Sequence, residues 1–178
     1  MKTKLLLTIL LASLCYSLGA QVNNFSVSDS NQLFWQKVYE SEMTYDDIHN
    51  ELLNRGYFTD ILDNDGIITC RMPRTTVDVK ALGYDRGSIP IYVSITDISG
   101  FVTIQVKDGR YRVTVDNIIL TYNDSAVSDI GESNPIETWA TNKNALRKGF
   151  AGKPSVIYNT IFTDLFSFRP KAYLNDEW

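Results

Sequence analysis

The sequence predicts an α+β domain, an antiparallel meander with helices packed on one of its faces. Three observations predict it. A strand-like alternation over residues 32–39 is followed by a capped helical stripe over 44–55. About sixty residues of β character, punctuated by turn residues, come next. Two apolar stripes at helical spacing close the chain. No internal repeat and no linker divides it.

The N-terminus reads Met1, Lys2, Thr3, Lys4, then an apolar run over 5–14, then Cys15-Tyr16-Ser17-Leu18-Gly19-Ala20-Gln21. A basic start, about ten apolar residues and a small-residue exit are the parts of a secretory signal. Cleavage after Ala20 is expected, so the protein should be periplasmic or extracellular and soluble. A lipid anchor on Cys15 requires Gly or Ala before it, and Leu14 stands there instead. No later run approaches the roughly 20 apolar residues of a membrane span, so no transmembrane anchor is expected.

The remaining 158 of the 178 residues suit one domain. Residues 21–31 are polar without a period and read as a flexible lead-in to a domain over 32–170, with 171–178 a loose tail. In the first strand Leu33, Trp35 and Tyr39 share one side, with Phe34, Gln36 and Val38 on the other. Thr44 is placed to cap a helix whose first turn holds Asp46 and Asp47. Tyr45, Ile48 and Leu52 follow at helical spacing, and Arg55-Gly56 supplies a cationic last turn and a stop.

Strands are predicted over 57–62, 66–72, 75–82, 89–96, 101–107 and 111–122. The joint Lys107-Asp108-Gly109-Arg110 is a two-residue hairpin loop, for which positive φ is expected at both central positions. Pairing Lys107 with Arg110 sets Val106 against Tyr111, Ile104 against Val113 and Val102 against Val115. The opposite face then carries Gln105 with Arg112 and Thr103 with Thr114. One face is therefore apolar and the other polar, so one should meet the core. Residues 123–135 form a polar loop. Ile136, Trp139, Ala140, Leu146 and Phe150 suit a helical stripe, Gly152-Lys153-Pro154 breaks it, and a broad apolar helix over 155–168 ends at Arg169-Pro170.

The Gly-Ala-Gln exit from the signal, the run Phe34-Trp35-Gln36-Lys37-Val38-Tyr39 before a helix, and the hairpin Lys107-Asp108-Gly109-Arg110-Tyr111-Arg112 resemble domain of unknown function 4468, a Bacteroidetes family of exported proteins described as TBP-like. The resemblance covers roughly residues 30–125. It implies a curved antiparallel sheet with helices on one side, and it transfers no active site.

Composition narrows the partners. The whole chain carries a net charge of −4, and loss of two leader lysines takes the exported form to −6. Nucleic acid, which demands clustered Lys and Arg, is not an expected partner. One cysteine, Cys70, remains after cleavage, so no internal disulfide forms, and Cys70 suits a small buried hydrophobe. The single histidine, His49, cannot with Cys70 build a metal cluster, and no catalytic cysteine signature surrounds Cys70. Asp63-Asn64-Asp65-Gly66 has calcium-loop residue types, but a strand follows at once, so it reads as a hairpin turn. No phosphate loop, nucleophile elbow or HExxH is present, and neither catalytic residues nor a cofactor are assigned.

Aromatic residues on predicted strands, Trp35, Tyr39, Tyr92, Tyr111 and Tyr122, are the candidates for facing a ligand, although core packing accounts for most of them equally well. The functional expectation is an exported, non-enzymatic domain. It would bind an envelope protein, peptide or glycan through one sheet face or through the loop over 123–135. The alternative is an envelope hydrolase whose Asp, Glu, Ser or Tyr constellation assembles only in three dimensions, marked by a cleft with two or more carboxyls of raised pKa.

Overall fold

A long hairpin is the spine of the molecule in the computed structural model, which describes residues 21–124 and 130–169. Strands β6 (Thr96–Lys107) and β7 (Arg110–Tyr122) pair as the sequence predicts, with Lys107 opposite Arg110, Val106 opposite Tyr111, Ile104 opposite Val113 and Val102 opposite Val115. The turn differs in one detail, since Gly109 takes φ +73° but Asp108 does not enter the left-handed region. Both central residues do so in the second Asp-Gly turn. There Asp65 (φ 49°) and Gly66 (φ 79°) join β3 (Thr59–Asn64) to β4 (Ile67–Arg71), as a type I′ loop requires.

The sheet runs in the order β1-β2-β7-β6-β4-β3, antiparallel throughout and not closed, with β5 (Thr75–Thr76) beside β6 and β8 (Ser133–Pro135) beside β7. β2 (Leu33–Glu40) lies on β7, with Trp35 opposite Val115. β1 (Phe25–Val27) falls within the segment read as a flexible lead-in. Phe25 is fully buried against Phe150 and Phe162, and Asn23 and Asn24 bond Ser155 and Asn159, which ties this segment down.

Helix α1 (Tyr45–Arg55) forms where predicted. Thr44 Oγ1 accepts from the Asp47 amide at 3.2 Å and Asp47 Oδ2 accepts from the Thr44 amide at 2.9 Å, a reciprocal capping box, and Gly56 ends the helix at φ +68°. Ile48 and Leu52 are its buried residues.

The end of the polar loop over 123–135 is strand β8, paired with β7, and four further expectations are corrected. The strand over 75–82 stops at Thr76, because Asp78 Oδ1 accepts from the Lys80 and Ala81 amides and curls the chain into a turn. The strand over 89–96 is instead helix α2 (Ile91–Ser94) after a 3₁₀ turn (Arg86–Ser88); Pro90 has no N–H for a ladder, and Ile89, Tyr92 and Val93 are buried at helical spacing. The stripe over 136–150 breaks into α3 (Glu137–Ala140), a small hairpin of β9 (Thr141–Asn142) and β10 (Ala145–Leu146), and α4 (Lys148–Ala151). Lys143 and Asn144 turn that hairpin at φ 50° and 60°. Helix α5 (Lys153–Leu165) opens with Pro154 in its first turn and ends before Phe166, rather than running over 155–168. The predicted leader, Cys15, the middle of the 123–135 loop and the 171–178 tail lie outside the described residues.

The helices share one side of the sheet. Trp35 meets Phe162 and Phe166, Phe58 meets Phe166, and Arg55 donates to the Leu165 carbonyl at 2.6 Å, binding α1 to the end of α5 over the same face. Among the described residues, no helix is long and apolar enough to cross a membrane.

Candidate functional site

Strict alternation sends every second residue of the central strands away from the helices, and the register assembles those residues into a grid. Across one row stand Gln36, Thr114, Thr103, Thr69 and Leu62, each paired with the next from β2 to β3. A second row reads Val38, Arg112, Gln105, Ile67 and Asn64. Asp116, Phe101 and Arg71 form a third, and Phe34 stands on β2 one step beyond the Trp35–Val115 pair. None of these side chains is fully buried, and Leu62 and Val38 are 65% and 49% exposed.

This open face bonds within itself. Gln36 donates to Thr114 Oγ1 at 2.9 Å, Arg112 Nε donates to Gln105 Oε1 at 3.0 Å, and Arg71 pairs with Asp60 at 2.9 Å. Asp116 does not join these bonds. It makes no side-chain hydrogen bond or ion pair among the described residues, and partial burial pushes its carboxyl above the ordinary aspartate value.

The rings expected to face a ligand are mostly core. Trp35 is fully buried, its indole N–H donating to Asn159 Oδ1 at 2.9 Å. Tyr111 is 1% exposed; its hydroxyl donates to the Phe166 carbonyl at 2.8 Å and accepts from the Phe168 amide at 3.0 Å. Tyr92 is buried against Trp139, and burial pushes its phenol up to about 12. Tyr39 is half-buried and stacks on Tyr111 at 4.9 Å, on the covered face. Tyr122 is half-buried at the far end of β7. The structure thus brings Tyr39 and Tyr111 together, but beneath the helices. Tyr111 is thereby corrected as a ligand-facing candidate, in line with the hairpin register that pairs it with Val106 on the apolar face.

Cys70 is fully buried, and burial pushes its thiol up to about 12. His49 stacks on Tyr45 at 6.4 Å within helix α1. Asp63 and Asn64 pair into the β3–β4 ladder as strand residues. Among the described residues Asp116 is the one carboxyl pushed upward, and no group of three or more His, Cys, Asp and Glu is placed to hold a metal.

An antiparallel α+β sheet whose described helices lie on one side is the class that this architecture defines. Two crystal structures are similar to it. One is a TBP-like protein from Parabacteroides distasonis, with a TM-score of 0.46 and 15% identity over 76% of this chain and 90% of that one. The other is a DUF4468 family protein from Bacteroides ovatus, with a TM-score of 0.48 and 18% identity over 82% of this chain and 92% of that one. Both come from Bacteroidetes and carry the two descriptions that the sequence resemblance names. No family model matches the chain, and no curated protein matches it.

Proposed function

We propose that the protein works outside the cytoplasm as a non-enzymatic domain that binds an envelope protein, peptide or glycan with its open sheet face. Export rests on the leader pattern of Lys2, Lys4, the 5–14 apolar run and Ala20. One observation carries the binding reading: among the described residues the helices cover a single face, and the other presents Phe34, Val38, Leu62, Ile67 and Phe101 in part to solvent. A paired, eight-stranded sheet holds these groups fixed before any partner arrives, so association costs little ordering of the backbone. Binding needs shape and contact area, both of which the face offers, rather than a cluster of titratable groups.

Photo-crosslinking in cells tests this reading. A benzophenone amino acid replacing Thr103 on the open face should give discrete adducts with envelope material. The same group replacing Val156, 40% exposed on α5, should give none. Adducts from Val156 alone, or equal smears from both, would overturn it.

A further inference from the structure

The hairpin end of the open face is cationic in a chain of net charge −4. Val38, Arg112, Gln105 and Ile67 stand side by side across four strands, and Arg110 pairs with Lys107 just beyond. These six side chains line a groove of about 340 Å³. Gln105 Oε1 accepts from both Nε and Nη2 of Arg112, which fixes the guanidinium and leaves Nη1 for another acceptor. Lys107 and Arg110 have no ion pair; the salt bridges among the described residues are Arg55–Glu51, Arg71–Asp60 and Arg86–Asp124. Glu40 stands opposite Arg110 in the register and Asp108 occupies the turn, yet neither closes an ion pair with these cations.

We infer that this groove binds an extended peptide segment of a partner protein in the pattern apolar-x-acidic-x-apolar. The inference rests on the open face being the binding surface and names the ligand for one end of it. Guanidinium groups with free N–H directions take carboxylates through charge-assisted, often bidentate bonds. Val38 and Ile67 flank the cations on either side. Three inter-strand gaps separate them, about 14 Å, which four residues of extended chain also span. A peptide crossing the strands thus sets an apolar side chain on Val38 and another on Ile67, with the acid between them over Arg112. A nucleic-acid backbone fits less well, because it needs a long positive track. Here Asp116, four residues along β7 from Arg112, ends the cationic stretch.

The test is titration of the ¹⁵N-labelled protein with N-acetyl-Leu-Ser-Glu-Ser-Leu-amide, followed by two-dimensional NMR. Amide shifts should centre on Val38, Ile67, Gln105 and Arg112, and the peptide with Gln in place of Glu should bind at least about tenfold more weakly. Arg112→Gln should weaken binding by a similar factor, whereas Arg71→Gln, at the other end of the face, should leave it unchanged. The double variant Lys107→Gln with Arg110→Gln, altered beside an exposed turn, provides a second loss should Arg112→Gln fold poorly. Equal binding of the two peptides, or tighter binding of a single-stranded oligonucleotide, would overturn the acidic-peptide assignment. Shifts confined to the Phe34 and Phe101 end would overturn it while sparing the open-face reading. No shift anywhere on the open face, together with no adduct from the Thr103 site, would remove both.

Discussion

The two faces of the sheet are made by the same strands and differ in every other respect. On the covered face Trp35, Ile68, Cys70, Val102, Ile104, Val113 and Val115 are all fully buried. One residue along each strand, the open face carries threonines, Gln36, Gln105, arginines and half-exposed apolar groups. Burial of apolar surface explains the first set. The second set buries less apolar surface, and it includes Lys107 and Arg110 without an ion pair and a half-exposed Val38.

Thiol chemistry gives the widest separation between the faces. Cys70 points into the core, and burial pushes its thiol up to about 12, so at pH 8 its thiolate is far scarcer than that of an exposed cysteine. Thr69, the preceding residue, points to the open face. A Thr69→Cys variant should react with a disulfide reagent at the rate of a free thiol, while Cys70 in the same molecule reacts only in urea. Fast labelling of Cys70 in the folded protein would break the comparison.

Stability gives the next separation. Trp35→Ala removes a fully buried ring and its bond to Asn159, and should cost about 3–5 kcal/mol in urea unfolding. Thr103→Ala removes one member of the open-face pair with Thr114, and should cost less than about 1 kcal/mol. Similar losses from the two would mean that the open face is part of the core.

Between these lies the bulge that keeps the faces distinct. Ser99 pairs with Ile119 and Phe101 with Asp116, so two residues of β7 oppose Gly100 alone. The extra residue reverses the alternation of β7: Val113 and Val115 are buried before it, Ile118 and Leu120 after it, and Asn117 takes φ 50° to allow the change. A Cβ on Gly100 would sit 2.9 Å from Val115 Cγ1 and 3.2 Å from the Asp116 carbonyl. Gly100→Ala should therefore cost about 1–3 kcal/mol, measured by the same unfolding curve. No loss would mean that the bulge relaxes freely.

That bulge marks where legibility in the sequence ends. The Asp-Gly turn and strict alternation were enough to place Tyr111 inward, and Thr103, Gln105, Arg112 and Thr114 outward, because both are local signals. Helix α1 was equally legible, since its cap, stripe and stop lie within thirteen residues. Period alone misled over 89–96 and 136–150, where Pro90 and the Lys143-Asn144 turn decide the backbone and buried residues still recur at apolar spacing. Which sheet face the helices cover depends on contacts such as Trp35 with Phe162, over a hundred residues away in the chain. For that reason the sequence leaves Trp35, Tyr39, Tyr92 and Tyr122 open between core and ligand-facing surface, and the groove beside Val38 and Ile67 has no signal until its strands are brought together.

The smallest expected effect has the opposite sign. Asp116 shares the open face with Phe101 and has no partner among the described residues, and burial holds its carboxyl above the ordinary value. A carboxyl whose pKa is raised by folding binds its proton more tightly in the native state, so stability falls as pH rises from the unfolded value of 3.8 through the native one. Asp116→Asn keeps the shape and removes the charge. The variant should be more stable than the parent at pH 7, and the gain should vanish near pH 3, where both states of the parent are protonated. A gain of equal size at both pH values would assign it to packing instead of charge. A gain confined to neutral pH would mean that the protein keeps, on the face that stability does not need, a carboxylate that folding disfavours. Such a retained cost is what a binding surface produces, and it would separate the two faces by purpose as well as by burial.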